Sequence, residues 1–141
     1  MMTGMASAWA SVLSGLPVLL VHLALTTALL LGGIALYVKF APYRELELIR
    51  EGNVAGAVVM SGQTLGLTIP LGMMLATSVN IPDIVLWGVI TILLQFIAIG
   101  AVRLSIPHFP SLIKRGEIAP ALILACAQVA AGILNAAALS R

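Results

Sequence analysis

The sequence predicts an all-α membrane protein whose four transmembrane helices form two tandem, parallel-repeat helical hairpins. Composition is the first sign. Hydrophobic residues make up 61% and charged residues 9%, where a soluble domain has roughly 45–50% and about 25%. A soluble helical bundle is excluded, because so much apolar surface needs lipid as its solvent. The placement of charge is the second sign. Residues 1–38, 52–82, 84–102 and 118–140 carry no Asp, Glu, Lys or Arg, and a membrane helix needs about 20 mostly apolar residues. The third sign is a repeat. LIREGNVAGAVVMSG at 48–62 recurs 64 residues later, without gaps, as LIKRGEIAPALILAC at 112–126. The matched pairs include Leu48/Leu112, Ile49/Ile113, Arg50/Lys114, Gly52/Gly116, Ala55/Ala119 and Ala57/Ala121. Residues 1–141 read as one integral membrane domain, with repeat 1 at about 16–75 and repeat 2 at about 82–139.

The first span is expected near Leu16 to Val38. No positive charge precedes it and its apolar stretch is long, so it reads as a retained helix rather than a secretory signal. The Ala-, Ser- and Gly-rich residues ahead of it, with Trp9, read as a short interfacial lead. The first elbow, KFAPYRELELIREGN, mixes Arg44, Glu45, Glu47, Arg50 and Glu51 with Leu46, Leu48 and Ile49. It predicts a short amphipathic helix at the headgroups, with Pro42 in its first turn and Tyr43 as an interface anchor. Gly52 lets the chain bend into span two, and Asn53 is placed to bond the backbone groups freed there.

Run 52–82 is too long for one straight span. Pro70 and Gly72 are where it should kink or fray, and Thr77, Ser78, Asn80 and Pro82 form the loop that follows. Asp83 opens span three as an N-cap or first-turn carboxylate. The second elbow, RLSIPHFPSLIKRGE, has two prolines and is expected to be more extended. Pro120 then falls in the first turn of span four.

Loop charge sets the orientation. The elbows hold Lys39, Arg44, Arg50, Arg103, Lys114 and Arg115, whereas the other side has only Arg141. By the positive-inside rule the elbows face the cytoplasm, and both termini are periplasmic. The pI near 9.1 follows from this asymmetry and calls for no nucleic-acid partner.

Small residues let backbones approach where lipid gives no hydrophobic drive for association. Span two has Gly52–Gly56 and Gly62–Gly66, plus a stripe of Ala57, Ser61, Thr64 and Thr68. Span four has Ala121, Ala125, Gln128, Gly132 and Asn135. These faces predict close packing of spans two and four about a pseudo-twofold axis along the membrane normal, with Gly56, Gly62, Gly66 and Gly132 as packing positions. Cys126 cannot form an internal disulfide and reads as a small packing residue.

Chemistry-bearing residues are few. His22 reads as a structural histidine at the outer interface, with a proton or ion role as the alternative. A metal site shared with His108 is excluded in a monomer, because that residue lies across the bilayer. Gln63, Gln95, Gln128 and Asn135 are buried amides, either interhelical glue or the lining of a polar path. Glu45, Glu47 and Glu51 read as solvent-facing carboxylates interleaved with arginine. No nucleophile–base constellation, phosphate loop or metal-ligand spacing occurs, so neither an enzyme nor a cofactor is expected.

The elbow sequence PYRELELIREGNVAGA, residues 42–57, resembles the signature of the YjfL-like bacterial inner-membrane proteins, domain-of-unknown-function family 350. Ile69-Pro70-Leu71, the Ser78 to Asp83 loop, Trp87, Gln95 and the Gly132 to Ala137 tail extend the resemblance over about residues 16–139. It implies a fold of two repeated two-helix units and a place among envelope-stress functions. It also implies signature roles for Pro42, Tyr43, Arg44, Glu45, Gly52, Asn53 and Ala55. The second elbow departs from the first, with Glu117 where the first has Asn53. Gly116 is the second elbow's bend.

The expected function is that of a multi-pass inner-membrane protein: a homo-oligomeric scaffold or accessory of an envelope complex. Its basic elbows would dock anionic lipid or a cytoplasmic protein partner. The alternative is a small channel or transporter, with His22, Gln63, Gln95 and Gln128 along a path between the repeats.

Overall fold

Backbone buried in hydrocarbon must satisfy its own hydrogen bonds, and the charge-free segments do so as helices. The computed structural model describes residues 2–140, of which 2 and 3 by their backbone alone. It places α1 at Met2–Phe40, α2 at Glu45–Arg50, α3 at Val54–Thr77, α4 at Ile81–Ser105, α5 at Phe109–Lys114 and α6 at Ile118–Leu139. α1, α3, α4 and α6 are each long and apolar enough to cross a membrane. α2 and α5 are short helices at the elbows.

α1 is one continuous helix of 39 residues. At ~1.5 Å per residue it extends ~58 Å, nearly twice a ~30 Å hydrocarbon core. The residues before Leu16 are therefore no separate interfacial lead. Nothing in that stretch breaks a helix, and Pro17 removes only one backbone bond. Every residue from Gly4 to Val21 is exposed, so among the described residues no other helix covers this stretch of α1. From Thr26 onward α1 packs on α3 and α4.

The most extensive contact joins α3 to α6, and glycine makes it possible. A Cβ placed on Gly62 would overlap the Ala125 backbone. One on Gly66 would overlap Gln95 Nε2 and the Gln128 carbonyl, and one on Gly132 would overlap the Gly66 carbonyl. Gly56 differs from these three. Its Cβ would meet only Leu48, Asn53 and Ile49, at 3.6 Å or more, so it is buried against α2 without requiring glycine.

The structure also corrects which stripe of α3 is packed. Ser61 and Thr68 are exposed, and Ala57 and Thr64 only partly covered. Ser61, Thr64 and Thr68 donate instead to the carbonyl one turn back in their own helix, at 2.8, 2.9 and 2.7 Å. That self-contained bond lets a hydroxyl face lipid without an interhelical partner. Cys126 is likewise exposed rather than packed.

α3 runs unbroken past Pro70 and Gly72 to Thr77. Pro70 has no N–H to return to the Gly66 carbonyl. That oxygen lies against Gly132 of α6, and α3 continues through the proline. At the start of α4 the Asn80 side chain caps the helix by accepting from the Asp83 N–H at 3.0 Å. Asp83 is thus the first-turn carboxylate and Asn80 the cap.

The core has two parts. Nearest the elbows, Tyr37, Tyr43, Val59, Ile99, Phe109 and Leu124 are buried together. Toward the other end lie Leu67, Leu71, Met74 and Ile92. Leu86, Ile97, Leu104 and Leu134 point outward, as lipid-facing residues should.

Candidate functional site

The elbows are built alike. Each short helix ends on a glycine in the left-handed region, Gly52 at φ +85° and Gly116 at φ +80°. In each, the glycine N–H and the following N–H turn back to satisfy carbonyls of the last turn. Gly52 donates to Ile49 O at 3.0 Å and Asn53 to Leu48 O at 2.8 Å. Gly116 donates to Ile113 O at 2.9 Å and Glu117 to Leu112 O at 3.0 Å.

The second elbow is therefore helical rather than extended. Pro110 lies in the first turn of α5, where proline is preorganised for a helix. The strain of that start falls on His108, a non-glycine residue at φ +56°. Its carbonyl accepts from the backbone of Ser111 and Leu112 and from the Ser111 hydroxyl.

Asn53 joins the two elbows. Its Oδ1 accepts from the Gly56 N–H at 2.9 Å and caps α3. Its Nδ2 donates to Ile113 O at 2.9 Å and Lys114 O at 3.3 Å, which caps the end of α5. Glu117, at the matching place, makes no side-chain cap.

The first elbow also holds a polar cluster that its alternating charges do not announce. Glu45 is completely buried, not solvent-facing, and Tyr43 is buried rather than anchored at an interface. The Tyr37 hydroxyl donates to Glu45 Oε1 at 3.1 Å. The Arg103 guanidinium, from the last turn of α4, lies 5.7 Å from the Tyr37 ring centre and 5.9 Å from that of Tyr43. This is a cation held by aromatic faces. Glu45 Oε2, the Tyr43 hydroxyl, and Arg103 Nε and Nη2 are buried without hydrogen-bond partners among the described residues.

Burial pushes the Glu45 carboxyl up to about 7, although the Tyr37 hydroxyl and the Arg103 charge both pull it down. Burial and the Glu45 charge together raise the Tyr43 phenol. The cluster can thus hold or release one proton near neutral pH. Arg44 and Pro42 take no part and are exposed. Arg44 pairs instead with Glu47 at 2.8 Å, an exposed contact of little energetic weight.

The amides form a chain across the seam. Gln95 Nε2 donates to Gln128 O at 2.9 Å, and Gln128 Nε2 donates to Gln63 Oε1 at 2.6 Å. Asn135 Nδ2 donates to Thr91 Oγ1 at 3.0 Å, a separate bridge between α6 and α4. His22 joins neither group. It borders a cavity of about 240 Å³ with Pro17, Val18, Val21 and Ile81. Its carbonyl accepts from the Thr26 hydroxyl at 2.8 Å.

With this geometry in place, the comparisons with known proteins decide the family. The family described as Domain of Unknown Function (DUF350) matches residues 11–139, nearly the whole chain. The chain belongs to the DUF350 family. This DUF350 protein is similar to the UPF0719 inner membrane protein YjfL of Escherichia coli strain K12. The two are 34% identical over 105 residues, which is 74% of this chain and 80% of the relative. The YjfL protein of Escherichia coli O157:H7 matches to the same extent. No solved structure matches. The relatives are inner-membrane proteins by name, in keeping with the four apolar helices of this DUF350 chain.

Proposed function

We propose that this DUF350 protein is a non-enzymatic scaffold or accessory subunit of a bacterial envelope complex, assembling with further copies of itself. Its joined elbows are the working surface, on the cytoplasmic side. One observation carries the reading: the α3–α6 seam is closed. Gly66 and Gly132 meet backbone to backbone, and two hydrogen bonds cross it, from Gln95 to the Gln128 carbonyl and from the Gln128 amide to Gln63. A conduit between the two halves needs space there that packed backbones do not leave. The equal lengths of α2 and α5 and the shared glycine turns support two tandem hairpins related by a pseudo-twofold axis. The exposed apolar stretch of α1 from Gly4 to Val21 supports self-association.

A channel or transporter is the second reading. It is favoured by Gln63 Nε2 and Gln128 Oε1, which are buried and lack partners among the described residues. Flux assays in proteoliposomes against a panel of ions separate the two. The scaffold reading expects no flux above protein-free vesicles. Ion flux that Gln128→Leu abolishes would overturn it.

Orientation has its own test. In a Cys126→Ala background, an impermeant maleimide should label Val79→Cys, 88% exposed, from the periplasmic side of intact cells. Glu47→Cys and Ser111→Cys should react only after lysis. Labelling of both elbow positions in intact cells reverses the topology.

The elbow bridge makes a milder prediction. Asn53→Ala removes the α3 cap and both bonds to the second elbow. A lost cap costs about 1 kcal/mol, and the two released α5 carbonyls add to it. The variant should insert normally, melt at lower temperature, and fail to complement a deletion strain if the elbows must act as one surface. Full complementation by a stably inserted variant removes the elbow from the function.

A further inference from the structure

We propose that the elbow end of the α3–α6 seam binds one anionic glycerophospholipid, with its headgroup between the elbows and an acyl chain in the groove beneath. Two cavities lie side by side there, with Val54 in the lining of both. One, about 400 Å³, is half polar: Glu51, Asn53, Lys114 and Arg115 line it together with the apolar Leu48, Val54 and Ile118 and the two turn glycines. The other, about 520 Å³, is almost wholly apolar and runs from Val54 to Ile133 past Gly62, Leu65, Ala125 and Cys126. Val54, more than half exposed, borders both.

The groove exists because α3 and α6 approach through Gly62 and Ala125, which leave no side chain to fill the valley between them. It lies on membrane-spanning helices and so opens to the bilayer. Its ordinary occupant there is an acyl chain. Its polar end lies at the elbows, where headgroups lie. A compartment bearing charge next to an almost wholly apolar one, with Val54 shared between them, matches the build of a lipid, whereas free phosphate would fill the first alone.

Charge chooses among lipids. Lys114 and Arg115 line the first cavity against the single carboxylate of Glu51. α3 and α6 also begin at its wall, and helix N-termini favour an anion. Both glycines have open space where a Cβ would stand, so a headgroup can approach the backbone at each turn. The site does not depend on whether the chain acts as a scaffold or as a conduit.

Native mass spectrometry of the detergent-solubilised protein tests this, with phosphatidylglycerol and phosphatidylethanolamine added in parallel. One phosphatidylglycerol per chain should be retained in preference to phosphatidylethanolamine. Lys114→Gln with Arg115→Gln should weaken retention about 30-fold, as expected for two basic residues at a bilayer surface. Ala130→Phe, at an exposed groove position, should weaken both lipids by filling the groove without touching the elbows. Equal retention of the two lipids would overturn the charge assignment. So would retention unchanged by Ala130→Phe but displaced by inorganic phosphate, which would mark a free-anion site. A groove variant that dissolves dimers and leaves lipid retention intact would assign the groove to a second copy and overturn the proposal.

Discussion

Gly132→Leu is expected to prevent α3 and α6 from closing and to abolish recovery of a monodisperse protein. The Gly66 carbonyl occupies the place where the new Cβ would stand. Overpacking a core typically costs ~1–3 kcal/mol, and here the obstacle is backbone, which cannot change rotamer. The helices must separate, and separation also breaks the Gln128 to Gln63 and Gln95 to Gln128 bonds. The loss should exceed the upper end of that range. Gly66→Leu should behave alike, because it meets Gln95 and the Gln128 backbone. Gly72→Leu is the matched control, with nothing within 4 Å of its Cβ position. Thermal denaturation followed by size-exclusion chromatography in detergent reads the difference. A Gly132→Leu protein that elutes and melts like the parent means the seam is not packed as described.

The parts of this architecture that were legible in the sequence are those decided locally. Charge-free runs gave the four spans, since a single Lys or Arg at mid-membrane is costly. Glycine spacing and the amides placed α3 against α6, because lipid rewards only close approach and shared hydrogen bonds. Gly52 and Gly116 announced the turns. What stayed hidden depended on where a helix face pointed. In α2, Glu45 has the helical spacing of Leu48 and Ile49 and shares their inward face. Counting alternating charges obscured that spacing and placed a buried carboxylate in water. Arg103 and Tyr37 come to Glu45 from α4 and α1, a convergence that no local motif encodes. Ser61 and Thr68 misled in the opposite sense. Small polar residues suit an interface, but a hydroxyl that bonds its own helix is equally at home facing lipid.

The buried carboxylate gives the second large effect. Wild-type stability is expected to fall between pH 5 and pH 8, and Glu45→Gln to remove that fall. Burial raises the Glu45 carboxyl from its ordinary value of 4.5 to about 7 in the fold. Below the unfolded value both states are protonated and the group contributes no difference. Between the two values the folded state binds more proton, so stability drops as pH rises; above about 7 both states are ionised and the penalty is complete. The full penalty is on the order of 3 kcal/mol. Three groups face Glu45: Tyr37 from α1, Tyr43 from the turn before α2, and Arg103 from α4. The phenol of Tyr43 is raised and stays neutral throughout this range. The slope therefore belongs to Glu45. Gln keeps the shape of the neutral acid, so Glu45→Gln should match the parent at pH 5 and melt higher at pH 8. Arg103→Met removes the cation that holds the carboxyl down, and should move the transition to higher pH. A parent melting temperature that rises from pH 5 to pH 8 would mean that Glu45 is held ionised by Arg103. The elbow would then contain a buried ion pair in place of a protonated carboxyl bonded to Tyr37.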